Sequence, residues 1–267
     1  MSFQPVIPIS GLAGWSFLQR TKERQEASFS QTPLLQRDTA YFRETIGKIT
    51  SAEELVSDRR LLRVAIGAFG LQDALDSRAL LRQVIEGGTE DPRSLANRFS
   101  DKRFLSLAKG FAHLAKGADL TSVPSDLVDT VIEAFNRREF QIAVGNQDES
   151  MRYALAIQSD LPELVKNYGS DRARWFALLG NPPLRKVFET TLGLPKEFGM
   201  LDIDEQLKRI TQLAQNRFGT ADLQEIADSQ LLEDLVKRFM IMSQLREMQS
   251  GMSSANVALQ LLQTARG

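Results

Sequence analysis

Apolar residues recur at three- and four-residue spacing along nearly the whole chain, which is the mark of helices with one buried face. After a Pro-containing start, Ser16 to Ser30 reads as a polar helix. Thr32-Pro33 opens the next with proline at the first helical position, where its missing N–H costs nothing. Thr50-Ser51-Ala52-Glu53 has the spacing of a capping box, and the single helix it predicts carries Leu55, Leu62, Ala65, Ile66 and Phe69 before stopping at Gly70. Further helices are predicted over Asp76 to Glu86, from Asp91-Pro92, over Asp101 to Lys116 and over Pro124 to Val144. Asp148 caps another, which Pro162 is expected to kink or interrupt, and Asn181-Pro182 starts one that ends at Gly193. Ile203 to Phe218, Leu223 to Ser250 and Ser253 to Ala265 complete the series. No period-two run of β-branched residues predicts a strand, so the expected fold class is all-α and multihelical.

A weak internal repeat accompanies this pattern. Leu61-Leu62-Arg63-Val64 with Gly70-Leu71 parallels Leu184-Arg185-Lys186-Val187 with Gly193-Leu194, at a shift of 123 residues. Asn97-Arg98-Phe99 returns as Asn216-Arg217-Phe218 at a shift of 119. The strings either coincide by chance, as helical sequences do, or mark two related helical subdomains. The expected organisation is an extended N-terminal arm over 1–15, a first helical subdomain over 16–145, a second over 146–250 and a C-terminal amphipathic segment over 251–267.

Composition narrows the chemistry. The 267 residues include no cysteine, which removes disulfides, thiolate nucleophiles and thiolate metal sites. The one histidine, His113, rules out two-histidine metal motifs and would have to carry any Ser-His-Asp triad alone, without a G-x-S-x-G elbow to supply the serine. No phosphate-binding glycine loop is present. Acidic groups such as Glu53-Glu54 and Asp202, Asp204 and Glu205 stand at predicted helix starts, where they complement the helix dipole. No catalytic, cofactor or metal-binding residue is therefore expected. With 33 Lys+Arg against 34 Asp+Glu, and basic residues interleaved with acids, nucleic acid is not an expected partner. No apolar run has the length of a membrane span, and the N-terminal stretch lacks the basic flank of a secretory signal.

Both ends point to interaction instead. Phe3 to Trp15 is apolar and reads as too rich in proline and glycine for a helix. It either wraps its own domain or offers Phe3, Val6, Ile7, Ile9 and Trp15 to a partner. Near the other end stand Met240, Met242, Met248 and Met252, and behind them Ala255, Val257, Ala258, Leu261, Leu262 and Ala265 form an amphipathic segment. Val257, Leu261 and Leu262 are its candidate partner-binding residues; a methionine stripe fills cores but also suits adaptable binding surfaces.

Several blocks together are similar to a known family. Gly14-Trp15-Ser16-Phe17-Leu18-Gln19-Arg20-Thr21 and Arg37-Asp38-Thr39-Ala40-Tyr41-Phe42-Arg43-Glu44 resemble the opening of the bacterial domain-of-unknown-function family 1217. So do Asp58-Arg59-Arg60-Leu61-Leu62 through Leu71, Leu95-Ala96-Asn97-Arg98-Phe99 with Asp101-Lys102-Arg103-Phe104, and Leu178-Leu179-Gly180 through Pro195. The resemblance implies an all-helical fold without established catalytic activity. It also implies a place among flagellar genes, hence a non-enzymatic protein-interaction role in flagellum assembly or structure, with other flagellar proteins as partners. A cytoplasmic assembly factor and an axial or basal-body component exported without a cleaved signal are the two versions; an enzyme with an unrecognised helical active site is the alternative from another class.

Overall fold

The computed structural model describes the backbone of residues 3–118 and 124–264, and the side chains of these except 229 and 249–264. Among the described residues there are fourteen α-helices and no strand. In chain order they are α1 (Gly11–Ser30), α2 (Pro33–Thr45), α3 (Ala52–Ser57), α4 (Arg59–Ala68), α5 (Arg78–Gly87), α6 (Leu95–Arg98) and α7 (Arg103–Gly110). Then follow α8 (Leu127–Gly145), α9 (Glu149–Asn167), α10 (Asp171–Leu179), α11 (Pro182–Thr191), α12 (Ile203–Phe218), α13 (Leu223–Ile226) and α14 (Ser229–Thr264). The chain divides into two compact units, Met1–Ile7 with Leu18–Gln147, and Pro8–Phe17 with Asp148–Gly267.

In the first unit α4 is the central helix, with α2 and α8 packed on it and α3 packed on both α4 and α5. Leu61, Leu62, Val64, Ala65 and Ile66 of α4 are fully buried among Phe42, Leu55, Leu81, Phe111 and Phe135. Where the apolar spacing predicts one helix from Thr50 to Gly70, the structure has two. The side chain of Asp58 accepts hydrogen bonds from the N–H groups of Arg60 and Leu61, at 2.9 and 3.0 Å, and so ends α3 and restarts the chain as α4. The capping box also slides by one residue. Ser51 accepts from Glu54 N–H, and the Glu54 carboxylate turns back to accept from Thr50 N–H.

The second unit repeats this plan. α9 and α14 pack on α11, α10 packs on α11, and α12 packs on α10. The correspondence reaches individual hydrogen bonds. α4 ends with Gly70 N–H donating to the Gly67 carbonyl and Leu71 N–H to that of Ile66; α11 ends with Gly193 N–H donating to Thr190 and Leu194 N–H to Glu189. Each of these donors and acceptors is displaced by the same 123 residues. Gly70 and Gly193 have φ of 72° and 68°, a left-handed conformation that glycine adopts without a Cβ penalty, and the leucine that follows each is buried. A serine-capped helix precedes the central helix in both units (Ser51 before α3, Ser170 before α10), and a 3₁₀ turn follows it.

Three other expectations change. Gly11–Trp15 is not extended but forms the first turns of α1. An ideal Cβ on Gly14 would fall 1.7 Å from the Ile9 carbonyl oxygen, so glycine here permits the preceding segment to fold back on the helix rather than breaking it. Pro162 does not interrupt α9, which continues past it to Asn167. α14 runs through position 251 without a break, so positions 251–264 of the expected C-terminal segment continue a 36-residue helix, and 265–267 lie outside the described residues.

Candidate interaction surface

The charged groups that sequence reasoning weighed for chemistry serve the fold. Glu53 pairs with Arg82 at 2.5 Å, Asp204 with Arg172 at 2.8 Å and Glu205 with Arg209 at 2.9 Å, while Asp202 caps α12. Among the described residues no cluster of three His, Asp or Glu side chains is placed to hold a metal ion, and no helix is long and apolar enough to cross a membrane.

His113 sits in a short 3₁₀ turn, Ala112–Leu114, only 4% exposed, with its ring 6.1 Å from that of Phe111. Nδ1 has no hydrogen-bond partner, and burial pushes the imidazole below its ordinary pKa. A base with a depressed folded pKa stabilises the fold above its unfolded value, near 6.5, and loses that contribution as pH falls towards the folded value. The expected result is that the urea midpoint of the native chain drops more between pH 7.5 and 5.0 than that of His113→Gln. The excess is at most about 1.4 kcal/mol per pH unit.

The N-terminal arm is tied to the first unit by its backbone. The side-chain amide of Gln25 accepts from Val6 N–H at 2.6 Å and donates to the Val6 carbonyl at 3.2 Å, in the manner of a paired strand, and Gln147 donates to the Pro5 carbonyl at 2.7 Å. Of the candidate residues here, Val6 and Ile9 are more than half exposed, Phe3 and Ile7 are half-buried, and Trp15 is a core residue at 5% exposure. The candidates Val257, Leu261 and Leu262 on α14 lie outside the described side chains.

Among the described residues, α14 carries three of the eight exposed large hydrophobic side chains. One face is committed to the second unit through Leu235, Val236, Phe239, Met240 and Ser243, with Phe239 edge-on to Tyr153 at 6.3 Å. Two arginines on α14 fix it further by reading the end of α11. Arg238 donates to the Thr191 carbonyl at 2.9 Å. Arg246 donates to Thr190 Oγ1 at 3.0 Å and to the carbonyls of Leu194 and Glu189 at 3.2 and 3.4 Å. Thr191 is the last residue of α11, so its carbonyl is one that a helix C-terminus leaves without an intrahelical partner. The Glu189 carbonyl also accepts from Leu194 N–H, and the guanidinium charges complement the negative end of the helix dipole. Ile241, Leu245 and Met248 are 44%, 47% and 59% exposed. At 100° per residue they fall on the flank roughly opposite the packed one. Sequence reading misses this stripe by grouping the methionines by type, whereas Met240 belongs to the core and Met248 to the surface. The four-then-three spacing of positions 241, 245 and 248 is the signal that separates them.

The model of the family "Protein of unknown function (DUF1217)" matches residues 68–260. The chain belongs to the DUF1217 family. The match begins later than the resemblance in the N-terminal blocks and reaches into the far half of α14. The fold is similar to the crystal structure of protein AGR_C_984 from Agrobacterium tumefaciens, with a TM-score of 0.73 and 25% identity over 91% of this chain and 99% of that one. No match is found among curated proteins.

Proposed function

We propose that this DUF1217 protein is a non-enzymatic interaction protein of the bacterial flagellum, acting through the outward flank of α14. The observation that supports the interaction role is the exposed row Ile241, Leu245 and Met248 on a helix whose other flank is firmly anchored. A rigid helix presenting apolar residues at helical spacing is a surface that another helix can cover at little ordering cost. The flagellar setting comes from the family resemblance. Within it, a cytoplasmic assembly factor and an exported axial or basal-body component share this surface and differ in where the protein resides.

An internally tagged chain is followed by immunoblot in cytoplasm, culture supernatant and purified hook–basal bodies, in wild type and in a strain lacking flagellar export. Motility of a deletion strain is measured alongside. Loss of motility with export-dependent recovery from basal bodies or supernatant identifies an exported component. Loss of motility with cytoplasmic residence identifies an assembly factor. Normal motility in the deletion strain refutes the flagellar role and returns the enzyme alternative.

A further inference from the structure

The 3₁₀ turn Lys196–Met200, between α11 and α12, ends on the most exposed large apolar side chain among the described residues. Met200 is 82% exposed. The backbone around it, by contrast, is held from both sides. Phe198 is buried at 2% exposure, with the Arg185 guanidinium carbon over its ring, 5.6 Å from the centroid. Phe198 N–H donates to the Pro195 carbonyl at 3.1 Å, and Leu201 N–H to the Phe198 carbonyl at 3.3 Å. The buried side-chain amide of Gln206 donates to the Leu201 carbonyl at 2.7 Å. A Cβ on Gly199 would come within 3.2 Å of Arg185 Nη2, so the backbone before Met200 is closely packed as well. Met200 is therefore held out to solvent by an anchored turn.

That presentation has a chemical consequence. The chain has no cysteine, so its thioether sulfurs are the soft nucleophiles it offers to a peroxide. In that reaction the sulfur lone pair attacks one oxygen of hydrogen peroxide and the O–O bond breaks. The sulfur loses two electrons and becomes a sulfoxide, and the other oxygen leaves as water with both protons. The peroxide has to reach the sulfur, and the described methionines differ sharply in this. Met151 and Met240 are 0% and 1% exposed, Met242 is half-buried and Met248 is 59% exposed. The side chains of Met1 and Met252 lie outside the described residues. The fate of the product differs too. A sulfoxide at Met151 or Met240 would bury a polar oxygen in the core, whereas at Met200 the oxygen faces water and leaves the packing of Phe198 untouched. It would make polar an apolar point of the surface, three positions before Ile203, which is itself 44% exposed. The same exposure opens the sulfoxide to enzymatic reduction.

We propose that Met200 is a site of reversible oxidation: hydrogen peroxide converts it to methionine sulfoxide in the folded chain, ahead of the other methionines whose side chains are described, and methionine sulfoxide reductases with a thiol reductant restore it. The site lies on the turn before α12, and the inference does not depend on the interaction reading of α14.

The test treats the full native chain with graded hydrogen peroxide at neutral pH, quenches it at intervals and scores each methionine by peptide mass spectrometry. The expected result is that Met200 is oxidised more than about tenfold faster than Met151 and Met240, and ahead of Met248 and Met242. In guanidinium the five rates are expected to converge, which shows that the fold sets the order. Far-UV circular dichroism and the urea midpoint of the chain oxidised at Met200 alone are expected to match those of the untreated chain. The two reductase types, one for each sulfoxide epimer, with dithiothreitol are expected to return Met200 to the thioether in the folded protein. Met200→Leu is expected to remove the fastest oxidation event and leave the other rates as they were. Oxidation of Met248 or Met242 before Met200, a native Met200 rate as slow as that of Met151, or unfolding on modification of Met200 alone overturns the proposal. A Met200 sulfoxide that the reductases leave in place on the folded chain overturns its reversibility.

Discussion

Trp175→Ala is expected to destabilise the second unit by about 3–5 kcal/mol, among the largest effects of any single substitution in the chain. Trp175 lies on α10 at 1% exposure, edge-on to Phe188 of α11 with ring centroids 5.4 Å apart, and its indole N–H donates to the Ala221 carbonyl at 2.8 Å. One side chain thus joins α10, the central helix of its unit and the turn that leads into α13. Truncation leaves a cavity too confined to collapse and an orphaned carbonyl, and the two costs add. Trp175→Phe keeps a ring against Phe188 but loses the hydrogen bond and part of the buried ring volume, so a smaller loss of about 2 kcal/mol is expected. Urea unfolding followed by fluorescence checks both. The chain has two tryptophans, Trp15 and Trp175, and both belong to the second unit, so Trp15 still reports on that unit in either variant. A midpoint unmoved by Trp175→Ala would contradict the placement of this residue at the centre of its unit.

Much of this architecture is legible in the sequence because helix ends are local events. Asp148 and Asn181 cap α9 and α11 by accepting from the N–H three residues on, and Ile203 to Phe218 is helical over the span that its pattern predicts. The failures are places where a distant group overrides a local preference. Asp58 sits in the middle of an unbroken apolar periodicity, and its capping role is reinforced by the Tyr41 hydroxyl, 17 residues away, donating to its other oxygen at 2.5 Å. Gly14 reads as a helix breaker until the Ile9 carbonyl is seen to occupy the space a Cβ would take. The repeat is faint as text because only a few identities carry it, yet they fall at a buried leucine, a buried valine and the glycine that closes the central helix. Those positions have the narrowest physical requirements. Of the candidate partner-binding residues near the N-terminus, Val6 and Ile9 are exposed, whereas Trp15 is consumed by packing that only the folded α1 reveals.

Arg63→Ala is expected to cost the first unit about 2–3 kcal/mol, through charge rather than volume. Arg63 projects from α4 and binds two helices at once: one guanidinium nitrogen lies 2.6 Å from Asp38 of α2, another 2.9 Å from Glu139 of α8. Arg60, one turn earlier, holds the other oxygen of Asp38 at 2.9 Å. The carboxylates are the buried members, with side-chain exposures of 6% for Asp38 and 16% for Glu139, while Arg63 keeps 30%. Removing the arginine therefore strands Glu139 and leaves Asp38 with Arg60 alone, where removing a carboxylate would free a cation that can turn to water. Arg60 still serves Asp38, and the partial exposure of Arg63 screens part of the attraction, which keeps the cost below that of a fully buried pair. The same arginine lies over the Phe135 ring, its guanidinium carbon 5.8 Å from the centroid, and a Cβ on Gly67 would come within 2.7 Å of that ring, so α4 and α8 meet at close range beside the ion pairs. The charge and contact effects separate in a double substitution. Arg63→Leu with Glu139→Leu removes the stranded carboxylate on α8 and restores apolar contact, and is expected to recover more than half of the loss. Far-UV circular dichroism in urea measures both variants. If Arg63→Ala costs less than about 0.5 kcal/mol, the pairs behave as exposed surface bridges and the central bridging role of Arg63 is wrong.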